Sequence, residues 1–159
     1  MIWLKRWWPA LAWALVISAM STSVFGSNNT GHFIVPFLHW LMPSASPQRL
    51  EFLHHIIRKC AHLSEYFILS LLIFRGIRAG QKDWHLRWAL TTVLIVAGYA
   101  AFDEFHQSFV PGRTAAVSDA LIDISGGIAA QLIASLVALW GGVRKQRRET
   151  EAAILQNKV

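Results

Sequence analysis

Long apolar blocks alternate with short polar ones along the chain. Trp7 to Phe25 is a 19-residue run without a charge. That is about the length needed to cross a hydrocarbon core of roughly 30 Å at 1.5 Å per residue. Pro9 falls near its start, where a missing N–H does no harm. A cleaved signal peptide is the rival reading, but Ser-Thr-Ser-Val-Phe-Gly makes a poor small-x-small cleavage site. Residues 27–46, with Gly31, Pro36 and Pro43, read as a loop. Its apolar middle, Phe33 to Met42, is too short to span and fits a segment lying on or dipping into the membrane interface.

Ser46-Pro47 predicts a helix start, an N-cap residue followed by proline at the first helical position. Nothing breaks a helix from there to about Ile77. The first part is amphipathic, and Phe67 to Phe74 is apolar. Trp88 to Phe102 is a 15-residue apolar run that reaches spanning length only if Asp103 to Gln107 continue the helix. Tyr99, Asp103 and Gln107 then share one face. Val110-Pro-Gly-Arg predicts a tight turn. Ala115 to Gly142 predicts the last helix, with Asp119, Asp123, Gly126 or Gly127, and Ala130 on one face. Small residues let membrane helices approach closely, so those acids should face the bundle interior.

The predicted class is all-α: a polytopic four-helix transmembrane bundle with an interfacial segment between helices 1 and 2. Its spans fall at about 7–25, 59–78, 86–106 and 117–142, followed by a cytoplasmic tail at 143–159, all in one domain over 1–159. Composition agrees. Apolar residues make up 54% and charged residues 15%, against roughly 25% charged in soluble domains. Trp3, Trp7, Trp8, Trp84, Trp88 and Trp140 cluster near predicted boundaries, as interface anchors do. The single cysteine, Cys60, excludes an intrachain disulfide and reads as a small packing residue. His54-His55 reads as a wet interfacial pair.

The net charge of +6 suggests nucleic acid until its distribution is considered. With both termini on one side, that side carries eleven of the fifteen basic residues and three acids, a net +8. The other side carries four basic residues and six acids, a net −2. The positive-inside rule then puts both termini in the cytoplasm of a plasma (inner) membrane protein, and the basic charge becomes a topology signal. Membrane lipids are the expected partners; nucleic acid is not.

The same count gathers polar groups from three helices at the outer level: Lys59, His62, Glu65 and Tyr66; Tyr99, Asp103, Glu104 and Gln107; Asp119 and Asp123. Arg113 follows the Pro-Gly turn. Ionisable groups at membrane depth are costly and usually functional. Three readings stay open. Lys59 and Arg113 could pair with the acids to pin short loops. Lys59, Arg113, His62 and Tyr66 could bind the anionic headgroup of a lipid-linked envelope precursor. Or Asp103, Glu104, His62 and Asp119 could do acid–base catalysis, with His106 and Asp123 as further ligands for a metal-assisted hydrolase or transferase. No His-Glu-x-x-His spacing appears, and no metal or cofactor is expected.

Three blocks carry a resemblance: Lys59-x-x-His62-x-x-Glu65-Tyr66; Asp103-Glu104-x-His106-Gln107-x-Phe109-x-Pro111-Gly112-Arg113; and Ser118-Asp119-x-x-x-Asp123 with Gly126-Gly127. They are similar to the VanZ-like family of small polytopic membrane proteins, over about Leu53 to Leu139. The resemblance implies a cell-envelope role linked to resistance to the glycopeptide teicoplanin. It implies functional residues at Lys59, His62, Glu65, Tyr66, Asp103, Glu104, Gln107, Arg113, Asp119 and Asp123. At position 123 the family pattern commonly carries Asn, so the acid here is a departure.

Overall fold

The computed structural model describes residues 2–22, 27–81, 84–110 and 116–156. They form five helices: α1 (Ile2–Met20), α2 (Ser27–Leu41), α3 (Pro47–Arg78), α4 (Leu86–Gln107) and α5 (Val117–Gln156). The all-α class is as expected, and no strand occurs among the described residues.

Among the described residues three helices are long and apolar enough to cross a membrane: Pro47–Arg78, Leu86–Gln107 and Val117–Glu151. The expectation was four. The first expected span corresponds to α1, which begins at Ile2 and so adds Lys5, Arg6 and Trp3 to the run, while positions 23–25 of that span lie outside the described residues. Charges and amphipathic indoles dilute its apolar run. Pro9 therefore sits inside α1 rather than at its start, where it removes one i→i−4 hydrogen bond. Even so, α1 belongs to the bundle. Ala10 and Ile17 are buried in one core with Tyr66, Leu69, Ile73, Val96 and Ala100.

Two further boundaries differ from expectation. Residues 27–41 are helical rather than a loop, with Pro36 inside the helix. The apolar spacing outweighs the breakers: Leu38 is buried while Phe33, Phe37, Trp40 and Leu41 point away from the protein. The apolar outer face fits a helix lying at an interface. At the other end, Gly141 and Gly142 do not stop α5, which runs through the basic segment to Gln156.

The start of α3 is as predicted. Ser46 caps it, its Oγ accepting the Arg49 N–H at 3.3 Å, with Pro47 in the first turn. Its end is set by Ala79 at φ 55 and Gly80 at φ 88. At 32 residues α3 is about 48 Å long, more than a membrane needs. Its first turns carry α2 through Thr30 Oγ1 and His54 Nε2, 3.2 Å apart. His54 is thus a buried packing residue and not a wet pair with His55. Cys60, read as a packing residue, is exposed.

The contacts give the helix directions. Trp7 lies against Gly76, and Trp13 Nε1 donates to the Glu65 carbonyl at 2.9 Å, so α1 and α3 are antiparallel. Ser18 meets Tyr99 and Ser21 meets Asp103, so α1 and α4 run parallel. Lys59 meets Asp119 and Ser70 meets Gln131, so α3 and α5 run parallel. The start of α1 and the later part of α5 therefore share one end of the bundle. Outward-facing surfaces are strongly apolar, with Leu94 at 72% exposure and Leu136 and Phe102 similarly bare. Apolar surface on this scale needs a nonaqueous surround.

Candidate functional site

The site begins with two glycines on α5. A Cβ on Gly126 would collide with the Leu63 carbonyl of α3. A Cβ on Gly127 would lie 2.7 Å from Val96 Cγ1 of α4. Only hydrogen at both positions lets α5 settle into the groove between α3 and α4. One turn earlier on α5, the same approach buries Asp123 to 1% exposure. One turn later, Ser70 Oγ donates to the Gly127 carbonyl at 3.0 Å and Gln131 Nε2 donates to Ser70 Oγ at 2.8 Å. The expected role of Gly126-Gly127 in helix packing is therefore what is seen.

Asp123 faces α3. His62 Nδ1 stands 3.7 Å from Asp123 Oδ1 and 3.9 Å from Glu65 Oε2. Those are ion-pair separations when His62 is protonated, but too long for hydrogen bonds. Neither Asp123 oxygen, nor the Tyr66 hydroxyl, has a hydrogen-bond partner among the described residues. Tyr66 is fully buried, its ring centroid 6.0 Å from that of Tyr99.

The face of α4 predicted from spacing meets α1. Tyr99 Oη donates to the Ala14 carbonyl at 2.6 Å and lies 2.8 Å from Ser18 Oγ. One turn on, Asp103 Oδ2 accepts from Ser21 Oγ at 2.7 Å and from Gln107 Nε2 at 2.8 Å. Gln107 Nε2 also reaches Ser21 Oγ at 3.3 Å. Its neighbour Glu104 is buried, and Oε2 accepts the Ala116 N–H at 2.9 Å. That bond ties the residue preceding α5 to the end of α4.

Nearer the surface, Lys59 Nζ pairs with Asp119 Oδ1 at 3.3 Å. Asp119 lies in the first turn of α5, where the helix dipole favours an acid. Lys59 and His62 keep 33% and 27% of their side chains exposed.

Nine of the ten predicted residues thus fall into adjoining groups: Lys59 with Asp119; His62 with Glu65 and Asp123; Asp103 with Gln107; Glu104 at the α5 entry; Tyr66 beneath them. Arg113 lies outside the described residues. His106 is exposed, and among the described residues no three His, Cys, Asp or Glu side chains could hold one metal ion. Sequence reasoning missed Ser21 and Ser18. Both sat unremarked in an apolar run, although their i, i+3 spacing puts them on one face.

A family model described as VanZ/LLP1 matches residues 7–138. The chain belongs to the VanZ/LLP1 family. No curated protein and no solved structure matches it. The VanZ/LLP1 match runs from the first turns of α1 well into α5, so it takes in all ten predicted residues together with Ser18 and Ser21.

Proposed function

We propose that this VanZ/LLP1 protein is a multi-pass protein of the bacterial plasma (inner) membrane. Both termini are cytoplasmic, and an outward-facing polar pocket holds the anionic headgroup of a lipid-linked or cell-wall-related ligand. One observation carries the reading: the two basic groups described at the site, Lys59 and His62, each face an acid and are still partly open. Asp119 holds Lys59, and Asp123 with Glu65 faces His62. The excess of acids, which at first argues against an anion site, is thereby assigned a job. The deeper acids are already engaged, Asp103 by Ser21 and Gln107 and Glu104 by the Ala116 amide. An anion approaching from outside meets the two bases first. Arg113, in the connection from α4 to α5, is the third base of the proposed site, with a planar fork suited to phosphate. The link to glycopeptide resistance, teicoplanin in particular, comes from the family resemblance and belongs to the proposal.

The test is native mass spectrometry of the protein extracted from membranes, wild type beside Lys59→Ala and Arg113→Ala. The wild type is expected to carry an anionic polyprenyl or lipid phosphate that both variants lose while staying monodisperse. Equal occupancy in all three removes the headgroup site.

A second reading is an envelope enzyme acting on such a ligand. It rests on the His62–Asp123 pair, because an imidazole facing a buried carboxylate is equipped to move a proton. It expects cleaved or transferred headgroup after incubation with a polyprenyl phosphate, lost in His62→Gln. Unaltered lipid with the wild type rules it out.

A further inference from the structure

A cleft of about 650 Å³ lies between α3 and α5, at the end of the bundle opposite the carboxylates. Its walls are apolar, with Phe74 from α3 and Ile133 and Val137 from α5. Ile133 and Val137 keep half or more of their surface open, so the cleft gapes sideways into the space a bilayer fills. Its rim is basic. Arg78 is fixed: Nε and Nη2 donate to the Gln81 carbonyl at 3.0 and 2.6 Å, and the guanidinium sits 5.6 Å from the Phe74 ring centroid. Arg75 is exposed, with no carboxylate partner among the described residues. Among the described residues no acid lines the cleft. The Trp84 indole N–H is buried there without a hydrogen-bond partner among the described residues. A buried donor left unpaired is costly and rare, and the residue that carries it lines the cleft.

Cations in the last turn of α3 also suit its dipole. That accounts for the arginines but for neither the apolar walls nor the unpaired indole. We propose that the cleft binds one anionic phospholipid from the leaflet on the side of the chain termini. The phosphate sits among Arg75, Arg78 and Trp84 Nε1, and an acyl chain lies along Phe74, Ile133 and Val137. A soluble anion would need only the arginines; the sideways apolar wall calls for a chain. Basic pockets between membrane helices at this level suit acidic headgroups. The site is independent of the outer pocket, and either can fail without the other.

The full chain in nanodiscs of phosphatidylcholine doped with phosphatidylglycerol provides the test, read by native mass spectrometry after release. The wild type is expected to retain one phosphatidylglycerol in preference to phosphatidylcholine. Arg75→Ala with Arg78→Ala should weaken retention roughly thirtyfold, from a several-fold contribution per basic residue at a membrane surface. Ala134→Trp, which fills the cleft and spares the charges, should also lose it. Lys59→Ala should keep it, which separates this lipid from any ligand of the outer pocket. A photoactivatable phosphatidylglycerol on the wild type guards against variants that fail to fold: crosslinks should map to Phe74 and Val137 and be competed by phosphatidylglycerol only. Equal retention of both lipids, retention unchanged in the arginine and Ala134→Trp variants, or competition by inorganic phosphate alone would each overturn the proposal.

Discussion

Asp123 and Asp103 are the same residue type at nearly the same depth, and their surroundings could hardly differ more. Asp103 Oδ2 accepts two short hydrogen bonds. Asp123 has none among the described residues, only the imidazole at 3.7 Å. A buried carboxylate is tolerated when hydrogen-bonded and costly when not. The two should therefore answer oppositely to removal of the carboxylate charge. Asp103→Ala strands Ser21 and Gln107 and should lower the melting temperature in detergent. Asp123→Asn should raise it, by about 2–4 °C for each kcal/mol of desolvation relieved. It should also lower anionic-lipid occupancy, because His62 loses the acid that positions it. A stability loss in Asp123→Asn equal to that of Asp103→Ala would make both acids purely structural. Spacing along α4 was enough to place Asp103 and Gln107 on one face. That their partner is Ser21 was not readable, because a serine in an apolar run looks the same whether it meets lipid or a carboxylate.

At the scale of elements, the fold depends on how closely α5 approaches its neighbours. The obstacle at Gly126 is the Leu63 backbone, and the obstacle at Gly127 is a Val96 methyl. Backbone cannot step aside, whereas a methyl can be deleted. Gly126→Ala should cost about 1–3 kcal/mol, the usual range for overpacking. No substitution at Leu63 should restore it, since every residue there keeps the carbonyl. Gly127→Ala should be rescued by Val96→Ala, with a coupling energy of about 0.5–3 kcal/mol in a double-mutant cycle. Thermal unfolding in detergent measures both. If Gly126→Ala is harmless, α3 and α5 are not packed as described. Element boundaries were the least legible part of the chain. α2 was hidden by Gly31 and Pro36, whose local penalties are offset by tertiary packing: Thr30 and Gly31 lie against His54 of α3, and Leu38 is buried. α5 outran its glycines because nothing beyond them disfavours a helix.

For the whole molecule, the alternating helix directions place the start of α1 and the end of α5 at one end and the candidate site at the other. In the proposed orientation, the charge bias puts the terminal end in the cytoplasm. In a Cys60→Ser background, Ser44→Cys should react with a membrane-impermeant maleimide in cells with a permeabilised outer membrane. Thr150→Cys should react only after the inner membrane is opened. Both positions are exposed. The reverse pattern would invert the protein and direct the acidic cluster to the cytoplasm. The arrangement also separates two environments: polar groups gathered at one end, and an apolar cleft with a basic rim at the other.

By itself the sequence determined the helical class, three of the four expected spans, the uneven distribution of charge and most of the residues that gather at the candidate site. These follow from local periodicity and from the length a bilayer demands, and both are written in consecutive residues. Only the tertiary structure decided which acid is satisfied and which is not, that Ser21 completes the Asp103 cluster, and that Trp84 lies beside Arg75 and Arg78 in a cleft. Each of those depends on how closely helices distant in sequence approach one another. That distance is set by side-chain volume at a few contacts, Gly126 against Leu63 above all, and no periodicity along a single helix encodes it.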